Sequence, residues 1–452
     1  MDYNGPFMNN ETTRESSIPP ARVGVRQECL PHSQKLQVAV IGPGMITQLQ
    51  ILPSIYHLQR LGIVGDVAVI GTRGQSLKAL ADDSMLAKAF PGHAFTAYPD
   101  FRSVDPTQSH PDLYKNILKQ LPPLQCVIVA TPDQLHYGAI KDALNCGQHV
   151  LTVKPFVLTY KQGLELEHLA REKGLLVGIE YHKRFDDRSL LARQRYRSGV
   201  FGEFMSGQAH LIEKWYYQYS NFQNWCTCEN SDAFTYIGCH YVDLVAFITG
   251  LKPVEISVYS KSQPWPNGKL GYLWTDARVI WENGASLSVL NGFGYPDDGP
   301  GGNTQGMVLH TQSRDAGGLI SHSDQFRGVK HSILKRGSSP GDTAYMETNP
   351  DYFQLVNRGG GGLEPVGYGY RSIEYILHAM LEVNRGSAEL PADNALTKRR
   401  EILREYDRDG IIATPGNSSY NELVIEAGRL SVTNGGRNVV IEYGSQPGVR
   451  FK

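Results

Sequence analysis

The stretch Val38-Ala39-Val40-Ile41-Gly42-Pro43-Gly44-Met45-Ile46-Thr47 constrains the fold more than any other in the chain. Its short β-branched apolar run suits a strand covered on both faces of a parallel sheet. Gly42 and Gly44 then permit a tight turn and close backbone approach, so that the amides opening the next helix can hold a pyrophosphate. The pattern is a dinucleotide fingerprint, G-x-G-x-x-G/A, with Thr47 in place of the last small residue; Gly42, Pro43, Gly44, Met45 and Ile46 are the expected cofactor contacts. In a chain with 47 glycines an ordinary strand-to-helix turn reads the same way, so the downstream segments decide.

Those segments sustain a βα alternation. Helical spacing over 46–61, interrupted by Pro53 and stopped by Gly62, leads to a strand over 66–70. Where an acidic residue would hold a ribose 2′-hydroxyl, this chain has Gly71-Thr72-Arg73. Thr72 and Arg73 are candidate contacts, and Arg73 fits a 2′-phosphate, an adenine face or solvent, which leaves NAD and NADP both open. A strand over 126–132, a helix over 136–146 and a strand ending at Val153-Lys154-Pro155 complete the series. Thr131, Pro132 and Lys154 all fall at strand carboxyl ends, where such sheets bind ligands. Pro155 fixes the turn that aims the Lys154 side chain.

Beyond Lys154 the pattern changes. Alternating segments at 204–212, 254–260, 276–281 and 285–290, with an Asn283-Gly284 hairpin turn, follow one another without helices and imply a largely antiparallel sheet. The predicted class is α/β plus α+β: a doubly wound parallel Rossmann sheet and a C-terminal domain on a large, mostly antiparallel sheet. The expected division is an arm at 1–35, a dinucleotide domain at 36–158, a substrate and oligomerisation domain at 159–415, and a C-terminal helix and tail at 416–452. Residues 296–341, rich in Gly, Asp and Ser, read as long loops or short edge strands, and 359–362 as a hinge or tight crossing. Ser418 and Ser419 are expected caps for a helix over 420–430.

With 41% apolar and 20% charged residues and a net charge of −1, the chain points to small-molecule chemistry and away from nucleic acid. Six cysteines in 452 residues do not form a disulfide framework, and no stretch has the length and apolarity of a membrane span, so a soluble cytoplasmic protein is expected.

In order, Gly42-Pro43-Gly44, Ala130-Thr131-Pro132-Asp133 with His136, Gly147 to Val150 leading into Val153-Lys154-Pro155, Lys183-Arg184-Phe185, and Ile237-Gly238-Cys239-His240 with Asp243 resemble the Gfo/Idh/MocA family of nicotinamide-dependent sugar and inositol oxidoreductases. The resemblance covers 36–295 well and the rest loosely. It implies that His240 is the catalytic histidine near the nicotinamide, that Lys154 is the active-site lysine, and that the second sheet carries the substrate site on one face and homo-oligomer contacts on the other. As hydride leaves a carbinol carbon, the hydroxyl proton must be taken, by His240 as base with Lys154 orienting the hydroxyl. Glu180, His182, Arg184, Trp215 and Tyr236 are the expected substrate contacts; Trp215 opens an aromatic-rich run, and Arg184 also reads as a structural ion pair. Cofactor contacts are extended to Thr131, Pro132, His136 and Lys154; no metal is expected. Two positions depart from the family. Val153 stands before Lys154 where Glu is common, and Tyr236 stands four residues before His240 where Asp is common, so Tyr236, Asp232 or Glu180 must take over the missing carboxylate's part. The expected function is NAD(P)-dependent oxidation of a secondary hydroxyl of a sugar or glycoside, with C3 of a glucoside favoured. The alternatives are an NAD-using glycosidase that works by transient oxidation and elimination, and a non-catalytic NAD(P)-sensing regulator.

Overall fold

A computed structural model describes residues 35–299, 301–314, 317–323, 330–334, 343–347, 352–359 and 361–452; the expected arm at 1–34, with Cys29, lies outside them. Six strands come first: β1 (Leu36–Ile41), β2 (Val64–Ile70), β3 (Thr96–Tyr98), β4 (Cys126–Val129), β5 (His149–Thr152) and β6 (Val177–Ile179). They form one parallel sheet in the order β3-β2-β1-β4-β5-β6, with the direction of winding reversing between β1 and β4. β1 is covered on both faces, which is why its run of Val, Ala and Ile does not alternate with polar residues. Strand β6 lies past residue 158, so the parallel sheet extends beyond the expected boundary.

Pro53 does not interrupt the first helix. A π-turn at Thr47–Ile51 runs into the helix Leu52–Arg60, placing Pro53 in the first α-turn, where its missing amide costs little.

The later strands are β7 (Glu203–Lys214), β8 (Pro253–Tyr259), β9 (Gln263–Pro264), β10 (Leu270–Gly271), β11 (Trp274–Trp281), β12 (Ser286–Tyr295), β13 (Asn303–Gln312), β14 (Gly317–His322), β15 (Lys330–Leu334), β16 (Thr343–Glu347), β17 (Gln354–Val356), β18 (Glu364–Val366), β19 (Val439–Glu442) and β20 (Gly448–Phe451). Eight of them build the second sheet, β14-β13-β7-β12-β11-β8-β19-β20. It is mostly antiparallel; β7 and β12 pair in parallel. The expectation of loops or short edges over 296–341 fails at β13, a ten-residue strand. Gly301 and Gly302 belong to the preceding turn, whereas Gln305, Met307, Leu309 and Thr311 alternate inward and are buried.

One face of the second sheet packs on the helix Cys239–Thr249, every residue of which is buried, and on the helix Tyr420–Val432. The cap of the latter region also differs from expectation. Thr414 and Asn417 form a capping box on the short turn Pro415–Ser418, and Ser419 makes no capping bond with its side chain. Gly362 is a tight crossing, since a side chain there would collide with Arg60 and the Ala89 carbonyl. The helix Tyr368–Ser387 returns the chain to the core of the parallel sheet through Ile373, Ile376, Leu377 and Met380. Among the described residues, no helix is long and apolar enough to cross a membrane.

Candidate active site

The carboxyl ends of β1, β4, β5 and β6 lie along one edge, linked by backbone bonds from Ala130 to Ile41, Val153 to Val129 and Glu180 to Thr152. Gly42 turns there with φ +110°, and a Cβ would strike the Ala130 carbonyl, so this position demands glycine. Thr47 is buried, and its hydroxyl donates to the Gly42 carbonyl at 2.6 Å, bracing the turn from below. At Gly44 a Cβ would point into open space. The Thr131 hydroxyl is buried without a hydrogen-bond partner among the described residues. The cradle at Gly44 and the unpartnered Thr131 donor fit a dinucleotide lying over this edge. Met45 and Ile46 are half-buried, Met45 against the second domain's core and Ile46 against that of the parallel sheet. Thr72 and Arg73 stand exposed beyond β2, and Pro132 is half-buried beyond β4. His136 does not reach the cleft. It is fully buried, with one ring nitrogen 2.8 Å from the Thr131 carbonyl and the other 2.7 Å from the Pro155 carbonyl, so it ties the β4 turn to the β5 turn.

Lys154 extends from the β5 turn to the helical segment that carries His240. Its Nζ donates to the Tyr236 carbonyl and lies 3.7 Å from the centre of the Tyr236 ring, a cation–π contact. A π-turn at Phe234–Gly238 precedes the helix Cys239–Thr249, and Tyr236 belongs to that wider turn. The next helical turn carries His240, which is 5% exposed, with Nδ1 lacking a hydrogen-bond partner among the described residues. Burial, with Lys154, His182 and Lys183 close by, holds its imidazole well below the usual histidine range. The ring is therefore neutral at physiological pH and able to accept a proton.

Glu180 and His182 converge on the same place. The His182 ring lies 4.6 Å from that of His240, and its Nδ1 lies 3.1 Å from the Glu180 carboxylate. Arg184, expected to touch substrate, instead makes a fully buried bidentate pair with Asp243 at 2.8 and 2.5 Å, to which Tyr420 and Asn421 also donate. Trp215 is 45% exposed on the short turn Trp215–Tyr219, with its ring against Tyr219. Asp232 is consumed elsewhere, accepting from the Thr235 amide and hydroxyl and from Arg429.

Several residues at the site were not anticipated from sequence. Gln50, in the first π-turn, donates to Glu180 at 2.7 Å, and Ser372 donates to it at 3.0 Å. Tyr352 and Tyr368 pack around His182, and Lys183 donates to Gln305. Glu213, whose carboxyl burial pushes up against the pull of Lys154 and Lys183, comes from the end of β7. The one legible signal was Gln50 itself, a glutamine on the apolar face of Ile46-Thr47-Gln48-Leu49-Gln50-Ile51-Leu52.

A six-stranded sheet with a glycine-cradled edge, met by a buried histidine from the helix Cys239–Thr249, defines a dinucleotide-binding protein of the Rossmann class. Residues 36–181 match the model of the Gfo/Idh/MocA oxidoreductase family, described as having an NAD-binding Rossmann fold. An uncharacterized oxidoreductase of Schizosaccharomyces pombe is 35% identical over 88 residues, 20% of this chain and 24% of that protein. The D-glucoside 3-dehydrogenase of Escherichia coli is 26% identical over 134 residues, 28% of this chain and 37% of that protein. These alignments therefore span well under half of either relative. The fold likeness is broader: the scyllo-inositol dehydrogenase of Lactobacillus casei, solved with NAD(H) and scyllo-inositol, superposes over 90% of this chain and 99% of its own, with TM-score 0.57 and 13% identity.

Proposed function

We propose that the protein is a nicotinamide-dependent dehydrogenase oxidising a secondary hydroxyl of a sugar or glycoside, with C3 of a glucoside as the leading candidate. The observation that carries this reading is the convergence of Lys154 and a neutral, buried His240 at the carboxyl edge of the dinucleotide sheet. Bound nicotinamide supplies the hydride acceptor. His240 takes the hydroxyl proton. Lys154 turns from the Tyr236 carbonyl to the substrate oxygen and stabilises the developing alkoxide. Glucoside and inositol dehydrogenases among the relatives favour a polyhydroxylated ring as substrate. We infer also that the protein works as a homo-oligomer assembled on the open face of the second sheet.

The purified protein, incubated with NAD or NADP and a panel of glucosides and cyclitols, is expected to reduce the cofactor and yield a product two hydrogens lighter by mass spectrometry. Release of the aglycone without net cofactor reduction overturns the reading. His240→Ala is expected to lower turnover by about 10²–10⁴-fold with cofactor affinity unchanged, and normal turnover in that variant removes His240 as the base.

A further inference from the structure

Where the resemblance leads one to expect a carboxylate four residues before His240, the chain has Tyr236, and its ring faces Lys154 and not the histidine. A carboxylate from another element, Glu180, instead reaches the histidine through a second imidazole. Glu180 accepts from three directions: from Gln50 on the glycine-turn helix at 2.7 Å, from Ser372 on the returning helix at 3.0 Å, and from His182 Nδ1 at 3.1 Å. Gln50 is held in turn, since its carbonyl accepts from the Tyr352 hydroxyl. With Glu180 acting only as acceptor, Nδ1 of His182 must carry hydrogen. The face of that ring then lies 4.6 Å from His240, at 39°.

We propose that His182 and His240 work as one acid–base couple carrying a single proton, with Glu180 holding that proton on His182 until His240 takes another from the substrate. The proposal rests on His240 being the base of the dehydrogenase reading. The groups facing His240 are Lys154 from the β5 turn and His182 and Lys183 from the turn after β6; those facing His182 are Glu180, Tyr352, Tyr368 and His240. Two charged rings at this separation in a buried setting repel strongly. When the substrate O–H bond breaks and an N–H bond forms on His240, His182, as the imidazolium that carries the couple's proton, gives its Nδ1 proton to the Glu180 carboxylate and is left a neutral ring with hydrogen on Nε2; Glu180 then passes the proton to solvent. One proton leaves the substrate and one leaves the protein, so the count balances. Glu180 and Gln50 thereby connect the glycine-turn helix to the base, acting as positioning residues.

The test is imidazole ¹⁵N NMR of the full chain without substrate, with His240→Ala assigning the His240 signals. In the wild type an exchange-protected Nδ1–H on His182 is expected, and its absence overturns the proposal. In His182→Asn the titration midpoint of His240 is expected to rise by about one pH unit, and an unmoved midpoint overturns the proposal. The acid limb of kcat/KM is expected to move with it. If the titrations behave as expected but no sugar is oxidised, the coupling of the two rings stands and its part in catalysis falls with the dehydrogenase reading. Unmoved titrations in an enzyme that turns over reject the couple alone.

Discussion

Glu422 shows how far a single side chain can depart from what its place in the sequence implies. Acidic residues in the first turn of a helix ordinarily face water and favour the helix dipole. Glu422, in the first turn of Tyr420–Val432, is wholly buried against Gly163, and neither carboxylate oxygen has a hydrogen-bond partner among the described residues. Burial pushes its carboxyl up to about 8, with Asp243 and Glu167 adding to the rise. The folded state thus holds a proton that the unfolded chain releases near the ordinary value of 4.5. Stability is expected to fall as pH rises between these two values, by up to about 1.4 kcal/mol per pH unit from this group. Glu422→Gln keeps the shape of the protonated acid and removes that slope. Urea midpoints of the two proteins between pH 5 and 9 are expected to diverge, with the variant the more stable at the alkaline end; parallel curves reject the assignment. His149 acts at the other end of the scale. Buried between the Leu176 amide and Asn384, it is held down to about 4, so stability is lost as pH falls from its ordinary 6.5 towards that value.

At the scale of elements, the buried pair of Arg184 and Asp243 joins the turn His182–Phe185 to the helix Cys239–Thr249, and Tyr420 and Asn421 add the last long helix to the same point. His182 and His240 ride on the first two of these, so the spacing of the two rings depends on this tie. Asp243→Asn leaves the Arg184 charge buried without its counter-ion and is expected to cost about 3–5 kcal/mol, measured by urea unfolding; a loss below 1 kcal/mol shows the pair to be dispensable. Strands β1, β2, β4 and β5 were legible in the sequence, because a short apolar run reports a local cause, and the pairing of Arg184 was one of its two readings; β3 was not anticipated. Nor were the two π-turns. A single extra residue in a helical turn leaves the apolar spacing almost intact, yet it changes which side chains and carbonyls face the cleft, and Gln50 and Tyr236 both owe their roles to such turns. The Glu180–His182–His240 arrangement was equally hidden, since it depends on contacts between residues as far apart as 50, 180 and 372.

For the molecule as a whole, the second sheet poses the remaining question, because among the described residues its helices pack on one face. On the other face, read across the register, Leu290 of β12 lies opposite Asp276 of β11 and His210 of β7, with Trp274, Tyr259 and Leu319 on neighbouring strands; these four apolar side chains are between 39% and 66% exposed. Isolated exposed apolar residues are ordinary, and an antiparallel sheet can present one face to water. Here they recur on four strands of a single broad face, with short side chains such as Ser286, Ser288 and Ser257 between them, so a second copy of the sheet can approach closely. A homo-oligomer that buries this face places its contact opposite the side on which the helix bearing His240 packs, leaving the cleft free. Leu290→Glu puts a charge at the centre of the proposed contact without touching the core. Sedimentation velocity is expected to show an assembly in the wild type and a smaller species in the variant, with cofactor affinity retained by both. A wild-type monomer, or a variant that assembles as the wild type does, removes the open face as the site of association.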